Sequence, residues 1–280
     1  MKHILINPRS NNGCGEKEAR AHCAGMTDAV CHNVLEIKDM KTFFDNLQPE
    51  DEVYLSGGDG TLNHFINDLR GYRLKNQVYY VKCGSGNDFF RDAEKDAKDG
   101  LIHFNRYMEN LPVVNVDGVE RVFINGIGYG VDGETCRIGD IQRMNSDKPV
   151  NYSKIAVKLC LGAYKKNKAT ITVDGKTYEY KDVWLASTMK GKFYGGGMMV
   201  APQQDRFNSK GTVTVVCLHK RSRLVTLMRF TSLFKGEHIK WKDWCDVIEG
   251  KQVQVTFKYP CALQIDGEVI PDVLSYTVKA

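Results

Sequence analysis

The segment Ser56-Gly57-Gly58-Asp59-Gly60-Thr61-Leu62-Asn63 constrains this chain more than any other. It follows an apolar run, Val53-Tyr54-Leu55, and opens a helical pattern in which Leu62, Phe65, Ile66 and Leu69 recur at i, i+3, i+4 and i+7. The order is strand, glycine turn, helix start. Glycines let backbone N–H groups approach an anion, and a helix N-terminus favours negative charge there. A carboxylate in that turn repels phosphate unless a cation sits between them. The segment therefore points to a metal–nucleotide site rather than to a bare phosphate cradle.

Organisation follows from the same kind of reading. Strand-like runs at 3–6, 53–55 and 78–81 each end in a polar, glycine-rich loop, with helical stretches near 16–30, 40–47 and 62–69. Such alternation predicts a doubly wound α/β domain with a mostly parallel sheet, whose ligands gather beyond the carboxyl ends of the strands. From about residue 111 short alternating strands take over: 112–116, 120–125, 169–173, 177–186, 212–218, 253–258 and 262–265. Asp117-Gly118, Asp174-Gly175 and Asp266-Gly267 stand between such runs, where type I′ hairpin turns are favoured. This half reads as an antiparallel β-sandwich with helical insertions near 151–165 and 222–235. The expected domains are 1–110 and 111–280, with the last residues open to returning to the first.

Composition excludes several classes. The chain of 280 residues is long enough for two domains, and its formal net charge of +5 is mildly basic. The nine cysteines are scattered without CxxC pairs, against a disulfide scaffold or a structural zinc. The chain opens on a short polar-flanked run, Ile4-Leu5-Ile6, unlike a signal peptide, and has no membrane-length apolar stretch. A cytoplasmic protein is expected. Basic residues are dispersed, and no nucleic-acid-binding motif appears, so no nucleic-acid partner is expected.

Two further loops accompany the first. Asn7-Pro8-Arg9-Ser10-Asn11-Asn12-Gly13 offers Ser10 and Asn11 as donors to a phosphate, although the pattern also suits an ordinary turn. Gly84-Ser85-Gly86-Asn87-Asp88 suits a nucleotide loop, or a helix start capped by Asn87 or Asp88. The P-loop pattern GxxxxGK followed by Ser or Thr is absent, as is GxGxxG after the first strand. The second half adds Gln264-Ile265-Asp266-Gly267-Glu268. It is either a hairpin turn with two surface acids or a catalytic element in which Glu268 takes a proton from a substrate hydroxyl attacking phosphate.

In this order, Asn7-Pro8-x-Ser10, Gly57-Gly58-Asp59-Gly60-Thr61, Gly84-Ser85-Gly86-Asn87-Asp88 and Asp266-Gly267-Glu268 resemble the diacylglycerol kinase catalytic family, especially bacterial soluble lipid kinases. Asn125-Gly126-Ile127-Gly128-Tyr129-Gly130-Val131-Asp132 and Gly195-Gly196-Gly197-Met198-Met199-Val200-Ala201-Pro202 extend the resemblance over essentially the whole chain. The ordered set is specific, whereas GGDGT alone is not, since NAD kinases share it. The resemblance implies ATP in an interdomain cleft, with Mg²⁺-ATP positioned by Asp59 and Glu268 as general base or metal-coordinating acid. It places Asn7, Ser10, Thr61, Asn63, Ser85 and Asn87 along the nucleotide, beside Asn11 and the loop glycines Gly57, Gly58, Gly60, Gly84 and Gly86. It sets Asp132 near the acceptor. Some members hold a structural Mg²⁺ through paired acids after the GGG…AP segment. Here only Asp205 stands in that stretch, as one oxygen ligand, and Thr188-Met189-Lys190 replaces the usual Asn before the glycines.

The function this implies is transfer of the γ-phosphoryl of ATP to a lipid hydroxyl, with diacylglycerol or a related lipid as acceptor. An NAD kinase-like or soluble-polyol kinase, and a non-catalytic lipid- or nucleotide-binding regulator, are the alternatives. A lipid acceptor calls for peripheral contact with the inner membrane face. The Lys235–Trp244 segment, with Trp241 and Trp244, and the apolar stripe of 151–168 ending in Lys165-Lys166-Asn167-Lys168 are the candidates for it. An exposed edge strand of the sandwich leaves a homodimer open.

Overall fold

The computed structural model describes residues 1–10, 15–83, 86–146 and 150–280. It divides into two compact units, Met1–Leu111 and Pro112–Ala280.

The first unit holds strands β1 (Lys2–Ile6), β2 (Ala29–Asn33), β3 (Glu52–Gly57), β4 (Gln77–Lys82) and β5 (Leu101–His103), with helices α1 (Gly15–Cys23), α2 (Met40–Asp45), α3 (Asp59–Asp68) and α4 (Asp88–Ala93). The sheet order is β2-β1-β3-β4-β5; the first four strands are parallel and β5 is antiparallel. Both faces are apolar, as a parallel sheet requires. Ile4, Ile6, Tyr54 and Val81 pack on one face with Ala19 of α1. Their alternates Leu5, Val53, Leu55 and Tyr80 are buried too, and Tyr80 meets the rings of Phe89 and Phe104. The expected helix over 16–30 is shorter. Asp28 adopts a positive φ of 56°, and the chain then extends into β2 beside β1.

The second unit contains β6 (Val113–Val116), β7 (Val119–Val122), β8 (Gly126–Gly130), α5 (Val131–Asn145), α6 (Tyr152–Lys158), β9 (Asn167–Val173), β10 (Lys176–Val183), β11 (Leu185–Met189), β12 (Phe193–Tyr194), β13 (Met198–Met199), β14 (Val213–Leu218), α7 (Arg223–Phe230), β15 (Cys245–Gly250), β16 (Gln252–Ile265) and β17 (Glu268–Lys279). Ten of these strands form one antiparallel sheet, in the order β15-β14-β11-β8-β16-β17-β6-β7 with β9 and β10 branching from β16. The branch lies in β16 itself. Val253–Phe257 pairs with β9, Leu263–Ile265 pairs with β8, and the register with β17 shifts between Thr256 and Leu263. Such irregularities bend a strand. The sheet thus folds over: side chains of β9 and β14, which are not neighbours in it, share one core with Phe123, Tyr129 and Tyr276. At the three expected hairpin turns, Asp117-Gly118, Asp174-Gly175 and Asp266-Gly267, both residues take positive φ, as type I′ turns require. The last strand pairs with β16 and β6 within this unit rather than returning to the first.

A second core lies beneath the helical insertions. Trp184, Leu185, Val216, Leu218 and Trp244 pack there with Ile155 and Leu159 of the first insertion and Leu227 and Phe230 of α7.

Candidate active site

In the first unit the sheet changes direction at β1, where β2 lies on one side and β3 on the other. Ligands in such sheets collect outside the carboxyl ends of the strands at this switch point. Asn7 directly follows β1 there, and Gly58 follows β3 as the cap of α3, with an extended backbone. The two loops are tied together. The Asn7 side chain donates to Thr61 Oγ1 at 2.8 Å, the Asn7 backbone donates to Ser56 O at 3.2 Å, and Ser10 Oγ lies 3.5 Å from Thr61 Oγ1. A Cβ on Gly57 would lie 2.5 Å from that of Thr61, so the turn closes only with glycine there. Gly60 sits in the first turn of α3. Asn63, also in α3, accepts from the Asn67 side chain through its carbonyl and Oδ1.

Asp59 ties the second loop to the third. Its Oδ2 accepts the Asp88 N–H at 3.0 Å and its Oδ1 accepts the Phe89 N–H at 2.9 Å. The carboxylate thus caps the N-terminus of α4, two of whose first-turn donors have no partner within the helix. A Cβ on Gly86 would come within 3.1 Å of Asp59 Oδ2. Asn87 is buried and left-handed, with φ 52° and ψ 42°, a conformation Asn tolerates better than most residues. Asn11, Gly84 and Ser85 lie outside the described residues.

In the second unit, Asp132 opens α5 directly after β8 and is buried. Its Oδ2 accepts from Gln264 Nε2 at 2.8 Å, and Gln264 Oε1 accepts the Gly267 N–H at 2.7 Å. This one side chain links Asp132 to the turn that carries Glu268. A Cβ on Gly128 would lie 1.7 Å from Asp132 Oδ2, so β8 must be glycine at that point. Glu268 is half-buried at the start of β17, opposite Ile265. Asp266 is not a surface acid. It is buried and accepts three backbone N–H groups, from Ile124 at 2.7 Å, Asn125 at 2.8 Å and Gly126 at 2.9 Å.

Three contributors escaped the sequence reading. Gln264 was visible within its motif but given no role. Asp140 stands two turns after Asp132, and the signal for it was the i, i+4, i+8 stripe Asp132, Cys136, Asp140 along α5. Burial raises the Asp140 carboxyl above its ordinary range, with Arg143 opposing and Glu268 adding to the rise. Burial, then Asp132 and Asp140, raise the Cys136 thiol well above its own. The third is Arg206, buried, whose guanidinium donates to Ile124 O and to Asn125 Oδ1.

Asp205 is the single acid of its loop, residues 202–211. It is exposed, its Oδ1 accepts the Phe207 N–H at 3.0 Å, and its carbonyl accepts from Asn208 Nδ2 at 2.8 Å. Gln204 and Asn208 both reach Thr212 O, so side-chain amides rather than grouped acids hold this loop. Among the described residues no group of three His, Cys, Asp or Glu side chains is placed to hold a metal. The expectation for Trp244 is corrected: it is fully buried and serves packing, not a headgroup layer. Trp241 is half-buried against the same core, with the Arg229 guanidinium 4.8 Å from its ring centre. Of the 151–168 stripe, Ile155 and Leu159 are buried while Gly162 and Ala163 are exposed. No helix among the described residues is long and apolar enough to cross a membrane.

Comparison with known proteins identifies the family. Residues 2–111 match the diacylglycerol kinase catalytic domain, and residues 125–278 match the YegS C-terminal NAD kinase beta sandwich-like domain. The chain belongs to the diacylglycerol kinase family that pairs these two domains. Membership implies kinase activity with ATP as donor. A Staphylococcus epidermidis protein named "Putative lipid kinase" is 25% identical over 92% of this chain and 85% of its own length. A Mycobacterium tuberculosis diacylglycerol kinase is 24% identical over 68% of this chain and 62% of its own length. In structure, the chain is similar to a diacylglycerol kinase from Bacillus anthracis str. Sterne, with TM-score 0.61 and 14% identity over 99% of this chain and 93% of that one.

Proposed function

We propose that this protein transfers the γ-phosphoryl of ATP to the hydroxyl of a lipid, diacylglycerol or a close relative, at the cytoplasmic surface of a membrane. The observation that carries the reading is the interlock of loops beyond β1, β3 and β4, with Asn7 on Thr61 and Asp59 on the amides of residues 88 and 89. Phosphoryl transfer asks mainly for alignment and charge stabilisation, which preset loops of this kind supply.

In this mechanism the first-turn amides of α3 and the side chains of Asn7 and Ser10 bind the phosphates. Glu268 accepts the proton of the lipid hydroxyl as its oxygen bonds to the γ-phosphorus. The bond from that phosphorus to the bridging oxygen breaks, and ADP leaves. Asp132, oriented by Gln264, positions the acceptor, and the half-buried setting of Glu268 limits competition from water. The donor set suits Mg²⁺, which asks for one or two carboxylates with phosphate oxygens and water rather than a protein cage. Asp59 would hold it, where it supplies charge neutralisation on the phosphate oxygens.

The test is mass spectrometry of products after incubating the protein with Mg-ATP and a total lipid extract, beside parallel reactions with NAD and with soluble polyols. A phosphorylated diacylglycerol or related lipid is expected. Phosphorylated NAD or polyol without a lipid product, or no ATP turnover in any reaction, refutes the proposal.

A further inference from the structure

Trp244 lies in the core and cannot face lipid. The two helical insertions, α6 with the π-helix Leu159–Ala163 that continues it, and α7, cover one core. Arg223 at the start of α7 donates to Cys160 O at 3.3 Å and Tyr164 O at 2.8 Å, fixing the two as neighbours. Their inward residues, Ile155 and Leu159 on one and Leu227 and Phe230 on the other, belong to that shared core. Their outward residues are also apolar. Leu161 is 61% exposed, Leu224 67% and Met228 65%, with Val157 one turn before Leu161 also exposed. Leu224 and Met228, at i and i+4, share one helix face, as do Val157 and Leu161.

The charge around these residues has one sign. Residues 150–168 contain five lysines and no acid; residues 219–236 contain Lys220, Arg221, Arg223, Arg229 and Lys235 and no acid. The acids that reach in from outside are Asp182, on Lys166, Asp243, on Arg221 and Arg229, and Asp246, on His219. Lys154, Lys158, Lys165, Lys168, Lys220 and Lys235 are exposed and have no ion pair among the described residues.

We infer that the outer faces of these insertions dock the protein on an anionic bilayer, the apolar side chains entering the headgroup boundary and the lysines meeting lipid phosphates. Apolar residues ringed by unpaired cations match the two attractions that hold an interfacial helix on a membrane, burial and charge. A protein partner for so uniformly basic an apolar face would have to be acidic throughout. The inference rests on the lipid-kinase reading, because it explains how a chain with no spanning helix among its described residues reaches a bilayer-bound acceptor.

The experiment is co-sedimentation of the full chain with vesicles of phosphatidylcholine alone and of phosphatidylcholine with phosphatidylglycerol, at low and high salt. Kinase activity toward a short-chain diacylglycerol dissolved without a bilayer is measured alongside. Wild type should bind the anionic vesicles and release from them at high salt. Leu224→Ser with Met228→Ser should weaken binding at least roughly thirty-fold. Lys158→Ala with Lys165→Ala should weaken it roughly thirty-fold, about five-fold per lysine. Both pairs should keep the wild-type unfolding temperature and activity on the dissolved lipid. Leu274→Ser, an exposed leucine on β17, should change nothing. Wild-type-like binding by both pairs, equal loss in Leu274→Ser, or no binding by the wild type overturns the docking surface. Activity on the dissolved lipid would then still support the kinase reading. Vesicle binding that follows the variants with no phosphorylated product would sink the kinase reading and leave the surface standing.

Discussion

Replacing Asp59 by Asn separates the two tasks this carboxylate is given. Its two oxygens accept the Asp88 and Phe89 amides at 3.0 and 2.9 Å. Asparagine keeps one acceptor oxygen and turns an NH₂ toward the other amide. One hydrogen bond to a charged acceptor is lost, at about 1.5–3 kcal/mol, and an acid leaves the N-terminus of α4, at about 0.3–1 kcal/mol. Asp59→Asn should therefore loosen the start of α4 by about 2–4 kcal/mol, or roughly 30- to 800-fold in opening equilibrium. All three tryptophans, Trp184, Trp241 and Trp244, lie in the second unit, so their fluorescence does not report this change. Amide hydrogen exchange does. The Phe89 amide, or a peptide spanning 86–93, should lose that protection while peptides from β16 and β17 keep theirs. Turnover should also fall, because the loops that align the phosphates are no longer braced. Unchanged protection at 88–89 would refute the capping role, whatever happened to turnover.

Gly128→Ala should cost about 3–5 kcal/mol, by overpacking and by breaking the buried Asp132–Gln264 hydrogen bond. Gly162→Ala, where a Cβ would meet nothing within 4 Å, should be neutral or stabilising by up to about 1 kcal/mol. Denaturant midpoints followed by tryptophan fluorescence check the pair, and equal midpoints would contradict the packing. Glu268→Gln should lower kcat by roughly 10²–10⁴ with the KM for ATP little changed, and near wild-type turnover would remove it as the base. Burial holds His32, His219 and His238 below the ordinary imidazole range. The folded state therefore resists protons that the unfolded chain takes up. The stability is present above the unfolded pKa of about 6.5 and is lost as pH falls below it. His238→Gln, which still offers a donor to Val200 O, should flatten the fall in denaturant midpoint between pH 7.5 and 5.5. An unchanged slope would show that His238 does not contribute.

Sequence revealed the elements whose patterns are local. The three Asp-Gly turns were visible because type I′ geometry needs two residues tolerant of positive φ. The loops after β1, β3 and β4 were visible because glycine and polar residues cluster after apolar runs. β8 was not read as a strand: Gly126, Gly128 and Gly130 leave no alternation to see, and they are glycine because Met189, Asp132 and the Trp184 carbonyl crowd them. β16 looked like two strands because its register shifts in the middle, and β17 was hidden by Pro271 and by Asp272 with its positive φ. The burial of Trp244 was equally illegible. A basic segment with two tryptophans reads as interfacial until tertiary packing shows which side of the chain the rings occupy.

The same limit explains why the motif acids could be found but not sorted. Asp59, Asp132 and Asp266 stand beside glycines in similar strings, yet each has a different donor. Asp59 takes two amides of α4, Asp266 takes three amides of residues 124–126, and Asp132 takes one side-chain amide. Five of those six donors are backbone N–H groups, which every residue but proline carries, so no residue type marks them in the sequence. The exception is Gln264, and it joins Asp132 to the turn bearing Glu268. Gln264→Leu keeps the bulk of that side chain and removes both ends of the link. It should impair transfer through misplacement of Asp132 while the Asp266 anchor holds the turn that bears Glu268 in place. If Asp132 positions the acceptor, the loss will appear as a raised KM for lipid with the KM for ATP unchanged. A raised KM for ATP instead would place Asp132 on the nucleotide.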